Sequence, residues 1–251
     1  MIRFYFHSTP NAAKVALFLE EADLPYEVVP VDTHKGEQHT AAFRIINPNG
    51  KVPAIIDTEG PAGKETRVFD STAILIYLAE KTNRFVGVPE NRPDLLSWLL
   101  FIASGLGPFS GQAIYFRYAA PYFQFSEPEA AASAVKRYGR EAERHYQVLN
   151  DHLSGRNYIV GDSYTIADIS AWGWIDRASK VLKREDNPLA AFPELRRWFA
   201  AVDARLAVSR ARAVGKDHVF KTEFDEEAQR ALCPSNYPLA NYPLAHGQRR
   251  A

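Results

Sequence analysis

The chain begins with a strand that passes straight into the start of a helix: Phe4-Tyr5-Phe6-His7-Ser8-Thr9-Pro10-Asn11. Residues 2–6 are rich in aromatic side chains, which predicts a short strand, and an apolar stripe over residues 13–22 predicts a helix. Thr9 is placed to cap this helix, and Pro10 follows at its first position. Because a helix start carries unpaired N–H groups and a partial positive charge, the turn favours an anion such as a thiolate. The alternative interpretation is an ordinary strand–helix turn with a threonine cap.

The composition limits the classes of protein that the chain can form. Its 251 residues suit two domains of ordinary size or one large domain. The 30 basic and 30 acidic residues give a formal net charge of zero, which argues against a nucleic-acid or anionic-membrane partner. The sequence shows no apolar run near the roughly 20 residues of a membrane span and no signal peptide, so we expect a cytoplasmic protein.

The chain contains a single cysteine, Cys233, which lies far from the first turn in the sequence. One cysteine excludes an intramolecular disulfide framework and a metal site built from cysteines alone, and we expect no metal. Any thiol chemistry at the Thr9 turn must therefore use the thiol of a small molecule. We expect Cys233 to be an incidental residue of the C-terminal tail.

The first 83 residues alternate between strand and helix patterns in the order β-α-β-α-β-β-α, which predicts a mixed sheet with crossover connections. Pro30, inside the second strand pattern, indicates a strand at the edge of the sheet. A second helix start follows the last strand at Asp70-Ser71. The Asp70 carboxylate suits an ammonium group, whereas the Ser71 hydroxyl and the N–H groups beside it suit a carboxylate.

Helix patterns dominate the chain from residue 92 onward. Helices are predicted over 93–116, with an interruption at 105–108, and over 127–153, 169–182 and 192–206. Thr165 and Asp168 form a Thr-x-x-Asp pair that is close to a capping box. The tail repeats Asn-Tyr-Pro-Leu-Ala at 236–240 and 241–245, and its prolines favour an extended chain that is either packed or disordered.

Several segments carry sequence motifs of a known protein family. Asn47-Pro48-Asn49-Gly50-Lys51-Val52-Pro53-Ala54 is similar to the N-P-x-x-x-V-P-A segment of the glutathione transferase family. Asp70-Ser71, followed by Ala73-Ile74 and Tyr77-Leu78, is similar to its E/D-S-x-A-I-x-x-Y-L segment, and residues 161–168 resemble a capping segment of its helical domain. The resemblance implies an α/β thioredoxin-like N-terminal domain (1–83), an all-α C-terminal domain (92–220) and a C-terminal tail (221–251).

The resemblance also implies how glutathione is bound. In the family, the residue before a cis proline, here Val52 before Pro53, pairs its backbone with the cysteinyl part of glutathione. The acid and serine at Asp70-Ser71 hold the γ-glutamyl end, and Gln38 falls in the loop that binds the glycyl carboxylate. The alternatives are a solvated loop amide for Gln38 and a surface charge for Lys51. The implied glutathione-binding residues are Gln38, Lys51, Val52, Pro53, Asp70, Ser71 and Arg137.

The first turn distinguishes this chain within the family. Ser8-Thr9-Pro10-Asn11 is similar to the Thr-Pro-Asn pattern of the bacterial Nu class and its fungal prion-forming relatives, in which Thr and Asn replace the usual hydroxyl or thiol. Thr9 and Asn11 are therefore the expected catalytic residues, although Ser8 leaves a serine-type site open. Arg137 either meets a second glutathione or belongs to a solvated helix face.

The expected function is that of an enzyme: a glutathione transferase-like, glutathione-dependent disulfide reductase that uses a bound glutathione thiolate. Reduced or oxidised glutathione is the implied co-substrate, and the family implies a homodimer. Tyr115 and Phe116, with the aromatic residues at 123–125, either line an acceptor pocket or belong to the core. One alternative function is conjugation of glutathione to an aromatic or ether electrophile, or its removal from such an adduct. Another is a non-enzymatic binding or regulatory protein with this fold.

Overall fold

The computed structural model describes residues 1–122 and 128–237. The aromatic residues at 123–125 lie outside the described residues, as do residues 238–240 of the first copy of the tail repeat and all of the second copy, 241–245. Contacts within the chain group its residues into two units. Among the described residues, 1–9, 25–70 and 214–237 form the sheet unit, and 10–24, 71–122 and 128–213 form the helical unit. The domain borders expected at 83, 92 and 221 stay a prediction.

The sheet unit is built on four strands: β1 (Ile2–Phe6), β2 (Tyr26–Pro30), β3 (Ala54–Asp57) and β4 (Thr66–Phe69). They lie in the order β2-β1-β3-β4. β1 is parallel to β2 and antiparallel to β3, and β4 is antiparallel to β3. This topology confirms the mixed sheet predicted from the sequence. It also places β2, which ends at Pro30, at an edge as expected.

The helices follow the sequence patterns closely in most of the chain. In chain order they are α1 (Pro10–Glu21), α2 (Ala41–Ile46), α3 (Ser71–Thr82), α4 (Arg92–Phe101), α5 (Gly107–Ile114), α6 (Pro128–His152), α7 (Ile166–Ile175), α8 (Ala178–Leu182), α9 (Pro193–Asp203), α10 (Leu206–Ala213) and α11 (Glu226–Leu232). α2 and α11 belong to the sheet unit and the others to the helical unit. The helix predicted over 169–182 is therefore two helices, and the one predicted over 192–206 ends at Asp203.

The interruption predicted at 105–108 takes the form of a wide helical turn. Residues Ile102–Leu106 form one π-helical turn that joins α4 to α5, and a second one, Tyr115–Ala119, follows α5. A side chain at Gly105 would meet the buried His145, because a Cβ there would lie 2.4 Å from His145 Nε2. The glycine therefore permits the close approach of this turn to α6.

α7 is the central helix of the helical unit, and all ten of its residues are buried. Its first turn carries the predicted capping box: Thr165 accepts from the Ala167 N–H, and the Asp168 carboxylate accepts from the Thr165 N–H at 2.9 Å. Asp168 also accepts from the Ile159 N–H at 3.0 Å and from Trp198 Nε1 at 2.8 Å. Burial raises the pKa of the Asp168 carboxyl, and these hydrogen bonds oppose the rise. One buried carboxylate thus joins the start of α7, the segment at Ile159 and α9, which carries Trp198.

Among the described residues, one helical stretch, Pro89–Ala119, is long and apolar enough to cross a membrane by length and composition. Of its most apolar window, 39% is buried inside the protein. The expectation that no apolar run comes near the length of a membrane span is therefore wrong for this stretch. A core helix of a globular protein meets the same criterion, so the stretch is weak evidence for a membrane span.

The C-terminal segment contains a helix that the sequence analysis does not predict. Residues 221–251 are expected to be a tail, yet α11 forms there within the sheet unit. The Asp225 side chain caps it by accepting from the Ala228 N–H at 2.9 Å. The signal was present in the sequence, because an aspartate precedes Glu226 and Glu227 in the first turn and Arg230 lies in the last.

Candidate functional site

The start of α1 is the first candidate site element. The helix begins at Pro10, directly after Thr9, as predicted, and Asn11 lies half-buried in its first turn. That turn carries no acidic residue, so no carboxylate within it neutralises the positive end of the helix dipole. The local arrangement therefore suits a negatively charged atom at the N-terminus of α1.

The first turn of α1 packs against α7 at a glycine. A Cβ built at Gly173 would lie 2.7 Å from the Pro10 carbonyl oxygen and 2.6 Å from Lys14 Cγ. Lys14 is itself buried, and its ammonium lies over the Trp174 ring at 5.9 Å from the centroid. Because a backbone carbonyl cannot move as a flexible side chain does, Gly173 sets how closely the Pro10–Asn11 turn approaches α7.

Substitution Gly173→Ala is expected to destabilise the protein by about 1 kcal/mol, and by at most about 2 kcal/mol. Overpacking against backbone costs roughly 1–3 kcal/mol, which outweighs the gain of about 1 kcal/mol in helix propensity. The measurement is urea unfolding followed by circular dichroism. The matched control is Gly139→Ala on α6, where, among the described residues, the new Cβ would meet the end of a side chain, Arg117 Nη2 at 3.3 Å, and no backbone atom. Equal or higher stability of Gly173→Ala would contradict the packing argument.

The segment before β3 contributes the Val52–Pro53 pair. The peptide bond between these residues is cis, as the resemblance implies. The Val52 side chain packs against the buried cluster of Val31, Phe43 and Ala54 in the sheet unit. The side chain is thus held by the core, and the backbone of Val52 lies in the turn before β3. Lys51 is exposed.

Asn47 is a residue of this turn whose role the sequence analysis missed. It is buried, its Nδ2 donates to the Lys51 carbonyl at 2.5 Å, and its Oδ1 accepts from the Asn49 N–H at 2.9 Å. The asparagine therefore fixes the backbone that leads into the cis bond. The sequence Asn-Pro-Asn-Gly is typical of an Asx turn, so this pattern could have predicted the role of Asn47.

Gln38 lies deeper than expected for a residue that meets a ligand. It is 4% exposed, so the alternative of a solvated loop amide is wrong. Its Nε2 donates to the Thr33 carbonyl at 3.1 Å and to the Ala231 carbonyl at 3.0 Å. A primary amide has two N–H donors, and both are used in these bonds. A direct bond from this amide to a ligand carboxylate would require the release of one of them.

The Asp70-Ser71 step joins β4 to α3. Asp70 has φ 72°, a left-handed conformation that costs most residues about 1 kcal/mol or more but that aspartate tolerates better than most. Asp70 is exposed, whereas Ser71 is buried as the first residue of α3. A strained residue at a helix start is a candidate for function, since strain of this kind concentrates at binding sites.

Arg137 lies in a charged network on α6. Its Nη1 pairs with Glu141 Oε2 at 3.2 Å, and its side chain is 67% exposed. Arg144 donates to Glu141 Oε1 at 2.6 Å, and this hydrogen bond is the main cause of the lowered pKa of the Glu141 carboxyl. Charges paired at the protein surface attract each other only weakly, so a carboxylate ligand can compete for the Arg137 guanidinium.

Tyr115 and Phe116 begin the second π-helical turn. Phe116 stacks on Tyr138 of α6 with ring centroids 5.2 Å apart and an angle of 8° between the rings. Tyr115 meets Phe116 edge-on at 5.0 Å. Both side chains are half-buried, so each offers part of its ring to its neighbours and part to the surface. π-Helical turns occur frequently at functional sites.

The predicted site residues divide between the two units. The sheet unit contains Thr9, Gln38, Lys51, Val52, Pro53 and Asp70. The helical unit contains Asn11, Ser71, Tyr115, Phe116 and Arg137. Thr9 and Asn11 are two residues apart in the chain, and Asp70 is followed directly by Ser71, so covalent connection keeps each pair together. Within residues 1–122 and 128–237, no group of three or more His, Cys, Asp or Glu side chains is arranged to hold a metal ion.

Comparison with known families assigns both halves of the chain. Residues 9–81 match the glutathione S-transferase N-terminal domain, and residues 132–201 match the glutathione S-transferase C-terminal domain. The chain therefore belongs to the glutathione S-transferase family. The predicted fold class, a thioredoxin-like domain with a mixed four-stranded sheet plus an all-helical C-terminal domain, is confirmed.

Among individual relatives, the disulfide-bond oxidoreductase YfcG of Escherichia coli K12 is 39% identical over 213 residues, covering 84% of this chain and 94% of the relative. The disulfide-bond oxidoreductase YghU of the same organism is 32% identical over 230 residues, covering 86% of this chain and 75% of the relative.

Solved structures of glutathione transferases are also similar to this chain. A glutathione transferase family member from Pseudomonas fluorescens with two glutathione bound is 37% identical with a TM-score of 0.76, covering 84% of this chain and 91% of that one. A glutathione transferase from Pseudomonas putida, with one glutathione disulfide bound per subunit, is 33% identical with a TM-score of 0.75, covering 85% and 91%.

Proposed function

We propose that this protein is a glutathione-dependent disulfide reductase of the Nu-class type, which uses the thiolate of bound glutathione in place of a protein cysteine. The observation that carries the proposal is the Thr9-Pro10-Asn11 start of α1, in a chain whose single cysteine is Cys233. The names of the relatives YfcG and YghU and the glutathione in the related structures support it.

The chemistry needs only thiols and a disulfide. A bound glutathione thiolate attacks one sulfur of the substrate disulfide; a new S–S bond forms, the old one breaks, and the leaving thiolate takes a proton from solvent. The thiolate of a second glutathione then attacks the glutathione sulfur of the mixed disulfide and displaces the second substrate thiol. Two glutathiones are oxidised to glutathione disulfide, and the substrate disulfide is reduced to two thiols.

The residues have separate roles in this proposal. Thr9 and Asn11 favour the thiolate at the N-terminus of α1, because N–H and amide donors there stabilise negative charge. Val52, before Pro53, offers its backbone to the cysteinyl part of glutathione. Lys51 offers an ammonium to the glycyl carboxylate.

The remaining residues act at the ends of the ligands. Asp70 accepts from the γ-glutamyl ammonium, and Ser71 with the N–H groups of α3 receives the adjacent carboxylate. Arg137 binds a carboxylate of the second glutathione after exchanging its Glu141 partner. Tyr115 and Phe116 contact the acceptor. We further propose a cytoplasmic homodimer with a small-molecule disulfide substrate and no metal.

A second candidate function is transfer of glutathione to an aromatic or ether electrophile, or its removal from such an adduct. The observation that favours it is the half-buried aromatic pair Tyr115 and Phe116. Turnover of a haloaromatic compound well above that of a small dialkyl disulfide would favour this function. Glutathione binding without turnover of either substrate would indicate a non-enzymatic binding or regulatory protein.

The substitution Asp70→Asn, studied by titration calorimetry with oxidised and reduced glutathione, tests the proposal at its γ-glutamyl end. We expect wild type to bind the oxidised form, and the variant to bind both forms about 10–100-fold more weakly, because a charge-assisted hydrogen bond contributes roughly 1.5–3 kcal/mol. Asparagine also tolerates the left-handed backbone of Asp70, so the fold is retained.

The control for this experiment is Asp162→Asn, which removes an exposed acid from the helical unit. Its affinity should equal that of wild type. Binding of reduced glutathione alone by wild type would favour the conjugating function, and binding of neither form would contradict both enzyme functions.

A further inference from the structure

The C-terminal segment, residues 214–237, returns to the sheet unit and packs on it at two places. The first is the end of β1. The centroid of the Phe220 ring lies 4.4 Å from that of the His7 ring and 6.4 Å from that of the Phe6 ring. His7 is buried, and its Nδ1 lies 3.1 Å from the Val31 carbonyl oxygen. Phe220 therefore packs on the end of β1 and on His7, which lies two residues before Thr9, the first residue of the proposed sulfur site.

The second place is the loop from Asp32 to His39. The buried Asp32 accepts from the backbone N–H of Lys221 at 2.8 Å through Oδ2 and from the His34 N–H at 3.1 Å through Oδ1. The pKa of the Asp32 carboxyl is lowered, because these N–H groups and the Lys35 ammonium together outweigh its desolvation. One carboxylate thus ties the C-terminal segment to the start of the loop.

The end of the loop is held by α11. The Ala231 carbonyl accepts from Gln38 Nε2 at 3.0 Å and lies 2.8 Å from His39 Nε2. Carbonyls at the end of a helix have no partner within the helix, so they accept readily from side chains. Ala231 packs where the loop carries Gly36, whose Cβ, if present, would lie 3.6 Å from the Ala231 Cβ. The loop is therefore fastened at Asp32, at Gln38 and at His39.

We propose that the C-terminal segment 214–237 is a positioning element of the glutathione site, and that Gln38 and Phe220 are its positioning residues. This inference rests on the proposed function. Gln38 acts through the loop that it ties to Ala231, and its amide does not donate to the ligand. Phe220 supports the end of β1 that leads to Thr9. A loop held in its binding conformation before the ligand arrives loses less entropy on binding, which strengthens affinity.

Two adjacent residues provide a matched test, because Phe220 packs on His7 whereas Val219 is 96% exposed. The variants are Phe220→Ala, Phe220→Leu and Val219→Ala. The first measurement is hydrogen exchange of the backbone amides of residues 33–39, with β3 as an internal reference. The second is the dissociation constant for oxidised glutathione at a temperature where each variant is fully folded by circular dichroism.

We expect Phe220→Ala to accelerate exchange in residues 33–39 but not in β3, and to weaken glutathione binding about tenfold. Phe220→Leu should restore most of the affinity, and Val219→Ala should equal wild type. General destabilisation alone would leave the dissociation constant of the folded protein unchanged. If Phe220→Ala fails to fold, Phe220→Leu carries the test, with a smaller change of the same direction expected.

Two results would overturn the inference while leaving the proposed function intact. One is folded Phe220→Ala with wild-type affinity, whatever its exchange. The other is weakened binding with no change of exchange in residues 33–39. By contrast, a wild-type protein that binds neither form of glutathione overturns the proposed function first, and the positioning role with it.

Discussion

Replacing Asn11 by alanine is expected to lower disulfide reductase turnover about 100-fold, since removal of one donor to a reacting anion costs roughly 10²–10³ in kcat. The bound thiol should also ionise at higher pH, because its thiolate loses a stabilising donor. The pH dependence of kcat/KM should therefore shift towards higher pH. The measurement is a coupled assay with a small dialkyl disulfide as substrate. A second enzyme reduces the glutathione disulfide that forms back to glutathione, and the rate of that reduction reports the turnover. Thr9→Ala should behave in the same way.

The control for this prediction is the neighbouring Ser8, which is exposed. Ser8→Ala should keep full turnover, and it tests the serine-type alternative directly. The double variant of Thr9 and Asn11 should lose less than the product of the two single losses, because groups that serve one sulfur act as a unit. Normal turnover in both single variants, or loss of turnover in Ser8→Ala, would place the activating group elsewhere.

Replacing Asp168 by alanine is expected to reduce the free energy of unfolding by about 3–5 kcal/mol. The substitution leaves the Ile159 and Thr165 N–H groups and Trp198 Nε1 buried without an acceptor, and each such donor costs roughly 1–3 kcal/mol. Urea unfolding monitored by tryptophan fluorescence and circular dichroism measures the effect.

Asp162, an exposed acid near the same helix start, serves as the comparison. Asp162→Ala should change stability by no more than about 0.5 kcal/mol, as is usual for surface substitutions. A loss of less than about 1 kcal/mol in Asp168→Ala would mean that water or a rearranged loop satisfies the donors that the Asp168 carboxylate serves in wild type.

Local patterns predicted the parts of this molecule that depend on local physics. The strand–turn–helix at Thr9, the edge position of Pro30 and the capping box at Thr165 each follow from a few adjacent residues. The segment order also predicted the mixed sheet. The cis bond at Val52–Pro53 came from the family resemblance, because most bonds before proline are trans.

Local sequence patterns do not predict the features that depend on contacts between distant parts of the chain. Gln38 bonds to a carbonyl 193 positions away, and no periodicity near Gln38 indicates that partner. Gly173 is a helix residue by pattern, and only its closeness to the Pro10 carbonyl shows why it is glycine. The helix α11 is a different case, because its Asp225 cap and its charge pattern are local signals that the sequence itself contains.

The return of residues 214–237 to the sheet unit has a consequence for biosynthesis. The ribosome completes β4 at Phe69 long before it makes Phe220 and Ala231, and the interval up to Ala231 lasts roughly 8–32 s at about 5–20 residues per second. During that time the nascent sheet lacks the groups that pair with Asp32, Gln38 and His39. The site-bearing part of the chain therefore reaches its final form last, although most of its residues are made first, and nascent chains shorter than about 232 residues should expose this loop to proteases or chaperones.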